Sequence, residues 1–399
     1  MVVENNKELI EEAKEESLKL LKSLITPKGF VASSNDVDNY KRVFSRDGII
    51  AGIASIKFKD DELKEAFKQT LLTLKRNQDK TGRIASNVSI DEEKISYGTT
   101  VGRVDSSIWY VIGCCFYFLE TGDKDFLVEV SESVEKTVFY LECLELNGRG
   151  LLYIPPGGDW ADEYINEGYV LFDQMLYVHA LEFYYKVFRI SDIQDKINDL
   201  KNIIKVNYFP NKDNLKSQYI YQEKLMEKIS SKYKTNTPIA SFSSFGAKYY
   251  YDLFAISLLF NSNLIDNNKK DDINLELEST YGPELPVYPA FYPVIDEKSH
   301  NWDKLNSNYL FRFKNKPNEY HNGGLWGVSY GFYLGSLDKL KEEKIIEFAK
   351  ILKRDAYEFP EFYHGLTFEG LGTKKLGFTA AGYLLAYQNF INKNKPLDI

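Results

Sequence analysis

Two hydrophobic patterns alternate from end to end along the 399-residue chain. In one, apolar residues recur every three or four positions on otherwise charged segments: 5–24, 61–77, 124–143, 191–206, a weaker one at 264–278, and 339–355. In the other, apolar residues surround the segment on nearly every side: 47–58, 106–119, 168–188, 242–260, 324–337 and 377–390. A narrow apolar stripe marks a helix facing solvent, and apolar residues all round mark one buried on both sides. The pattern therefore predicts six outer and six inner helices in strict alternation. The inner-to-outer connections Lys59-Asp60, Thr121-Gly122-Asp123 and Arg189-Ile190 are short, which makes those pairs antiparallel neighbours.

The outer-to-inner connections are long: 26–46, 78–105, 144–167, 207–241, 279–323 and 356–376. Loops of this length in a compact domain are usually functional. In a closed ring of helical hairpins all six emerge on one rim. The expected fold is all-α, an (α/α)6 toroid or six-hairpin barrel. One domain spans 1–399, with β structure confined to short pairs in the loops. The helical pattern is weakest over 207–278.

Composition narrows the function. A formal net charge of −8 argues against nucleic acid or an anionic membrane as partner, since both need clustered Lys and Arg. The N-terminal stretch is polar and charged, unlike a secretory signal. The longest apolar run, 108–119, is too short to span a bilayer. Cys114, Cys115 and Cys143 have no metal-ligand spacing and read as reduced core residues of a cytoplasmic protein. No nucleophile elbow and no phosphate-cradling loop is present. No cofactor is called for, and the oligomeric state, including a homo-oligomer, stays open.

The third long loop carries the densest chemistry: Pro155-Pro156-Gly157-Gly158-Asp159-Trp160-Ala161-Asp162-Glu163-Tyr164. An acid beside an indole suits sugar cleavage. The ring covers the apolar face of a pyranose, and dehydration raises a carboxyl pKa until it donates a proton near neutrality. The same acids equally suit helix capping. The first loop ends in Phe44-Ser45-Arg46-Asp47, whose guanidinium and carboxylate match paired sugar hydroxyls or one another. The second ends in Gly102-Arg103-Val104-Asp105, with Trp109 one turn further on; Asp105 is a hydrogen-bond acceptor or an N-cap. The fifth, Pro-rich and aromatic over 281–302, leads to Tyr320-His321-Asn322-Gly323-Gly324-Leu325-Trp326. The sixth holds Phe359-Pro360-Glu361-Phe362-Tyr363-His364, where Pro360 stiffens the approach to Glu361. Aromatic packing over the barrel mouth accounts for these last two loops as well. His321 lacks the second His at helical spacing that a metal site would need.

In order along the chain, these motifs resemble the alkaline/neutral invertases of glycoside hydrolase family 100, and more loosely the amylo-α-1,6-glucosidase domains. Phe44-Ser45-Arg46-Asp47 resembles Phe-Ile-Arg-Asp, and 102–109 resembles a Gly-Arg-Val…Asp-Ser-Gly-Leu-Trp pattern with three residues missing. Tyr320 to Trp326 resembles Tyr-His-Asn-Gly-Gly-Ser-Trp, and Pro360 to Tyr363 resembles Pro-Glu-Tyr-Tyr. Ala381-Gly382-Tyr383-Leu384 is similar to the family's closing helix. The resemblance implies a general acid at Asp162 and its partner at Glu361. The Trp-x-Asp pattern at 160–162, shared with the amylo-glucosidases, favours Asp162 over Asp159. It further implies sugar ligands at Phe44, Arg46, Asp47, Arg103, Asp105, Trp109, Trp160, Gln174, Tyr320, His321, Asn322, Trp326 and Tyr363, and no metal. Where the family has Arg-Arg after the acid, this chain has Glu163-Tyr164, which reverses the charge beside it.

The implied activity is hydrolysis of a small α-glucoside, sucrose-type, with inversion. Three rivals stand beside it. The first applies the same chemistry to an α-1,6 branch or a maltosaccharide. The second is an epimerase or isomerase using His321 or His364. The third is a non-catalytic carbohydrate-binding protein.

Overall fold

The computed structural model describes residues 2–35, 39–282, 285–307 and 312–392. Parts of the first and fifth long loops, 36–38, 283–284 and 308–311, lie outside the described residues. The outer segments form α1 (Val2–Ser23), α3 (Asp61–Arg76), α5 (Lys124–Glu142), α7 (Ser191–Tyr208), α10 (Asn267–Tyr281) and α13 (Glu342–Arg354). The inner ones form α2 (Ser45–Ile56), α4 (Val104–Thr121), α6 (Leu171–Phe188), α9 (Leu253–Phe260), α12 (Gly327–Ser336) and α14 (Gly377–Ile391). Two further helices, α8 (Glu223–Lys232) and α11 (Trp302–Asn306), lie within the fourth and fifth loops.

The two patterns translate directly into burial. On α3, Leu63, Phe67, Leu71 and Leu74 are buried, and Asp60 accepts from the amides of Glu62 and Leu63 to cap the helix. On α4 every residue from Val104 to Tyr117 is buried. Gly122, at φ +66° in the left-handed region, ends α4, and Asp123 starts α5 by accepting from the Phe126 amide. Inner helices contact one another in sequence: α2 with α4, α4 with α6, α6 with α9, α9 with α12, α12 with α14, and α14 with α2. Outside them, α3 packs on α2 and α4, α5 on α4, α7 on α6, and α1 and α13 on α14.

The α12–α14 contact depends on missing side chains. A Cβ on Gly331 would lie 2.0 Å from the Gly382 carbonyl oxygen, and one on Gly382 would lie 2.3 Å from the Gly327 oxygen. Backbone cannot yield as a side-chain tip can. Gly331→Ala should therefore cost about 3 kcal/mol, the upper end of overpacking effects, as read from urea unfolding. Unchanged stability would show that the two helices slide apart freely.

The short β pairs expected in the loops are present, but two segments expected as helix also begin as strand. Twelve short strands form five small sheets among the described residues. The segment 242–260, expected as one inner helix, is helical only from Leu253. Its first half is a hairpin, Ser241–Ser243 paired with Gly246–Lys248, followed by the strand Tyr251–Asp252. Ser243-Ser244-Phe245-Gly246 makes a two-residue turn, with Gly246 at φ +123°, and Asp252 caps α9. Likewise Gly168, at φ +84°, and the strand Tyr169–Val170 delay α6 to Leu171. Cys114 and Cys115 are buried as expected, but Cys143 sits at the C-cap of α5 and is exposed.

These small strands position the long loops. Arg42–Phe44 pairs with Asn87–Ser89, joining the first loop to the second. Leu325 and Tyr363 exchange backbone hydrogen bonds, joining the fifth to the sixth. The Val104 amide donates to the Gly158 carbonyl at 2.7 Å, which ties the third loop to the start of α4.

Candidate active site

Where the loops converge lies a cavity of about 570 Å³. Asp162 and Glu361, from the third and sixth loops, both line it. So do Phe44, Arg46, Asp47, Arg103, Trp160, Tyr320 and Trp326.

Asp162 is held by Arg103, whose Nη2 donates to Oδ2 at 2.6 Å. The same guanidinium donates from Nη1 to the Gly157 carbonyl, so one side chain fixes both the acid and the glycine turn ahead of it. Oδ2 makes the bond to Arg103, and Asp162 lines the cavity. Glu361 is 5% exposed. It accepts from the Tyr40 hydroxyl at 2.8 Å on Oε1 and from the Thr373 amide at 3.2 Å on Oε2. The backbone comes this close because Gly372 has no side chain; a Cβ there would lie 2.4 Å from Oε2. Burial pushes the Glu361 carboxyl above the ordinary 4.5, against the pull of Tyr40, Lys314 and the Thr373 amide. Of the two carboxyl groups, Glu361 is the more buried.

Arg46 donates to Asp105 Oδ2 at 2.8 Å and lies 5.7 Å from the Phe378 ring. Asp47 is buried beside it, and burial raises its carboxyl pKa. Trp160 stacks on Phe291 at 5.4 Å and meets Trp326 edge-on at 5.6 Å, while Trp326 in turn stacks on Phe362 at 6.0 Å. These rings give the cavity apolar walls between its charged groups.

Six expected sugar ligands stand behind the wall instead of on it. Asp105 is fully buried and anchors Arg46; the α4 N-cap is Arg103, so Asp105 is no cap either. Trp109 packs against Phe254 and Phe332 in the core. Gln174 serves as a backbone partner for Leu152, accepting from its amide at 2.8 Å and donating to its carbonyl at 2.9 Å. Asn322 does the same for Ile295 and also donates to the Asn315 carbonyl. His321 stacks on Trp326 at 4.9 Å, and burial pushes its pKa well below 6.5, which keeps the imidazole neutral. Tyr363 is fully buried and pairs with Leu325. Asp105, Gln174 and Asn322 brace the wall through hydrogen bonds, and Trp109 and His321 through ring packing, purposes that the motif alone does not reveal.

Conversely, Tyr40, Asn87, Arg312, Lys314 and Phe378 line the cavity without having been singled out. Lys314 donates to Glu163 Oε1 at 2.9 Å and lies 4.8 Å from the Tyr320 ring. Phe378 adjoins the closing-helix motif, but Tyr40 and Lys314 lie in stretches with no motif. Below Trp160, burial raises the Asp159 carboxyl to about 7, and Asn166 donates to it at 2.8 Å. Asp159 is fully buried and does not reach the cavity wall.

The Arg46–Asp105 pair supplies a stability test. Removing one partner of a buried pair leaves an uncompensated charge. Asp105→Ala should therefore cost about 3–5 kcal/mol in chemical unfolding. A loss below about 1 kcal/mol, as for an exposed pair, would contradict the bracing role.

Among the described residues no group of three or more His, Cys, Asp or Glu is placed to hold a metal ion, and no helix is long and apolar enough to cross a membrane. The sequence matches no family model and no curated protein. Solved structures do match. The GH63 mannosylglycerate hydrolase from Thermus thermophilus aligns over 93% of this chain and 99% of its own, with TM-score 0.64 and 11% identity. A wild-type glycosidase aligns over 96% and 97%, with TM-score 0.61 and 11% identity. The GH78 rhamnosidase of Bacillus sp. GL1 aligns over 96% of this chain but 35% of its own, with TM-score 0.61 and 13% identity. At such identities the likeness is one of fold, and it extends over nearly the whole chain: this protein is built like these glycosidases.

Proposed function

We propose that this chain is a glycoside hydrolase of the (α/α)6-toroid type that cleaves a small α-glucoside with inversion. The observation that carries the proposal is the convergence of Asp162 and Glu361 on one aromatic-walled cavity. Its volume of about 570 Å³ falls in the usual range for small-molecule sites. The cyclic order of inner-helix contacts and the neighbours' fold support the toroid.

In this mechanism protonated Asp162 gives its proton through Oδ1 to the leaving oxygen as the bond to the anomeric carbon breaks. Glu361 takes a proton from a water that forms the new bond on the opposite face. An inverting pair stands about 6.5–9.5 Å apart to leave room for that water. The raised pKa of Glu361 makes it the stronger base. Arg46 and Asp47 serve the hydroxyls of the cleaved sugar, while Trp160, Trp326 and Phe44 serve its apolar faces. No metal or organic cofactor enters the reaction, and the partner is a small carbohydrate in the cytoplasm. Neither His321 nor His364 is on the cavity wall, which disfavours an epimerase.

The family 100 motifs favour a sucrose-type substrate. A second possibility has a specific observation behind it: Arg312 lines the cavity beside the ion-paired Arg103 and Lys314, and this cation-rich wall suits a leaving group bearing a carboxylate. The mannosylglycerate named for one structural neighbour is such a compound. A hydrolysis panel of sucrose, isomaltose, panose, trehalose and mannosylglycerate tests both. Release of a monosaccharide from at least one supports the hydrolase, and the preferred compound identifies the leaving group. Absence of hydrolysis across the panel, with binding retained, would favour a binding protein.

A further inference from the structure

A second cavity is larger than the one holding Asp162 and Glu361. A groove of about 890 Å³ runs between the Ser241–Lys248 hairpin, one face of α8, the 293–301 stretch and α11. Its charge is one-sided. Lys228, Lys232, Lys248 and Lys304 line it against the single carboxylate of Glu167, in a chain whose net charge is −8. Glu167 is already committed to Lys304. Among the described residues no carboxylate pairs with Lys228, Lys232 or Lys248. Lys248 donates only to Asn301 Oδ1, at 3.1 Å. It is half-buried, and that burial together with the neighbouring Lys304 lowers its pKa. A half-buried ammonium whose neighbouring carboxylate, Glu167, is already paired with Lys304 is costly unless something anionic visits it.

The same groove offers ring faces. Tyr249 is 40% exposed and Phe245, at the hairpin tip, is 100% exposed. The back wall is fixed. Tyr250 packs edge-on against Tyr164 at 5.3 Å and donates its hydroxyl to Asn166. Cations beside aromatic faces in a cavity of this size fit a charged sugar better than a bare ion or a polymer.

We propose that this groove is a second binding site, selective for an anionic carbohydrate: a mono- or disaccharide carrying phosphate or carboxylate. The ligand is either a free sugar acid or phosphate, or the remote end of a longer substrate. A pocket of about 230 Å³ adjoins both sites, sharing Arg103 and Asp162 with the catalytic cavity and Glu167 and Lys304 with the groove.

Calorimetric titration of the full chain tests this with glucose 6-phosphate, glucose and inorganic phosphate as probes. Glucose 6-phosphate should bind about tenfold or more tightly than glucose, since a hydrogen bond to a charged group is worth about 1.5–3 kcal/mol. It should also outbind inorganic phosphate. The double variant Lys232→Ala, Lys248→Met should lose that advantage, whereas Lys314→Met in the catalytic cavity should keep it. Equal affinity for glucose and glucose 6-phosphate would overturn the proposal. So would loss of binding with Lys314→Met alone. Inhibition kinetics separate the two sources. A raised KM at constant kcat marks the groove as the far end of the substrate path, and any other pattern marks a separate ligand.

Discussion

Glu361→Gln is expected to lower kcat by about two to four orders of magnitude, the range for loss of the proposed general base. The substitution preserves shape, and the carbonyl of Gln still accepts from Tyr40. Its amide then turns an N–H toward the Thr373 amide where Oε2 had accepted. Losing that one hydrogen bond costs about 1 kcal/mol, too little to unfold the chain. Circular dichroism and a melting curve alongside the kinetics separate the chemical effect from the structural one. The wild-type pH profile carries the same information. In the proposed mechanism Glu361 works ionised, so kcat/KM should rise with pH through its raised pKa, with that acid limb above 4.5. Near wild-type turnover in the Gln variant, or an acid limb below 4.5, would remove Glu361 from the mechanism.

Asp162→Asn should cost about two to four orders of magnitude as well, but only on substrates that need protonic help. A glycoside with a good leaving group, such as a nitrophenyl α-glucoside, departs without a full proton. On it the Asn variant should recover most of the wild-type rate. Glu361→Gln should show no such recovery, because the water must be activated whatever departs. The contrast between the two variants distinguishes their roles. Equal losses on both substrates would deprive Asp162 of the acid role. Asn also keeps an oxygen for Arg103, so the bond that ties the third loop to α4 survives.

Much of the scaffold was readable in the hydrophobic pattern, because two-sided and one-sided burial leave different signatures. The all-round apolar run of α4 and the striped run of α3 needed no tertiary information. Residues 242–260 misled for a physical reason. Phe242, Phe254 and the tyrosines between them are as apolar as a buried helix, and short apolar runs do not distinguish helix from strand. The Ser-Phe-Gly turn was the available signal.

The cavity was less readable. Motifs reveal that a polar residue is needed, not which way it faces. Arg46 and Asp105 look alike in the sequence, yet one lines the cavity and the other anchors it from behind. Gln174 and Asn322 carry amides that imitate backbone, a purpose visible only when Leu152 and Ile295 are in place. Tyr40 and Lys314 were silent because their partners, Glu361 and Glu163, are far away in the chain. The finer assignment to family 100 rests on sequence motifs alone.

The most direct test follows the first sugar released from an α-glucoside by proton NMR, before mutarotation mixes the anomers. Two carboxyl groups acting from opposite faces of the ring predict β-glucose as the initial product. Initial α-glucose would mean attack and departure on the same face overall, and would contradict a water-activating Glu361 opposite Asp162.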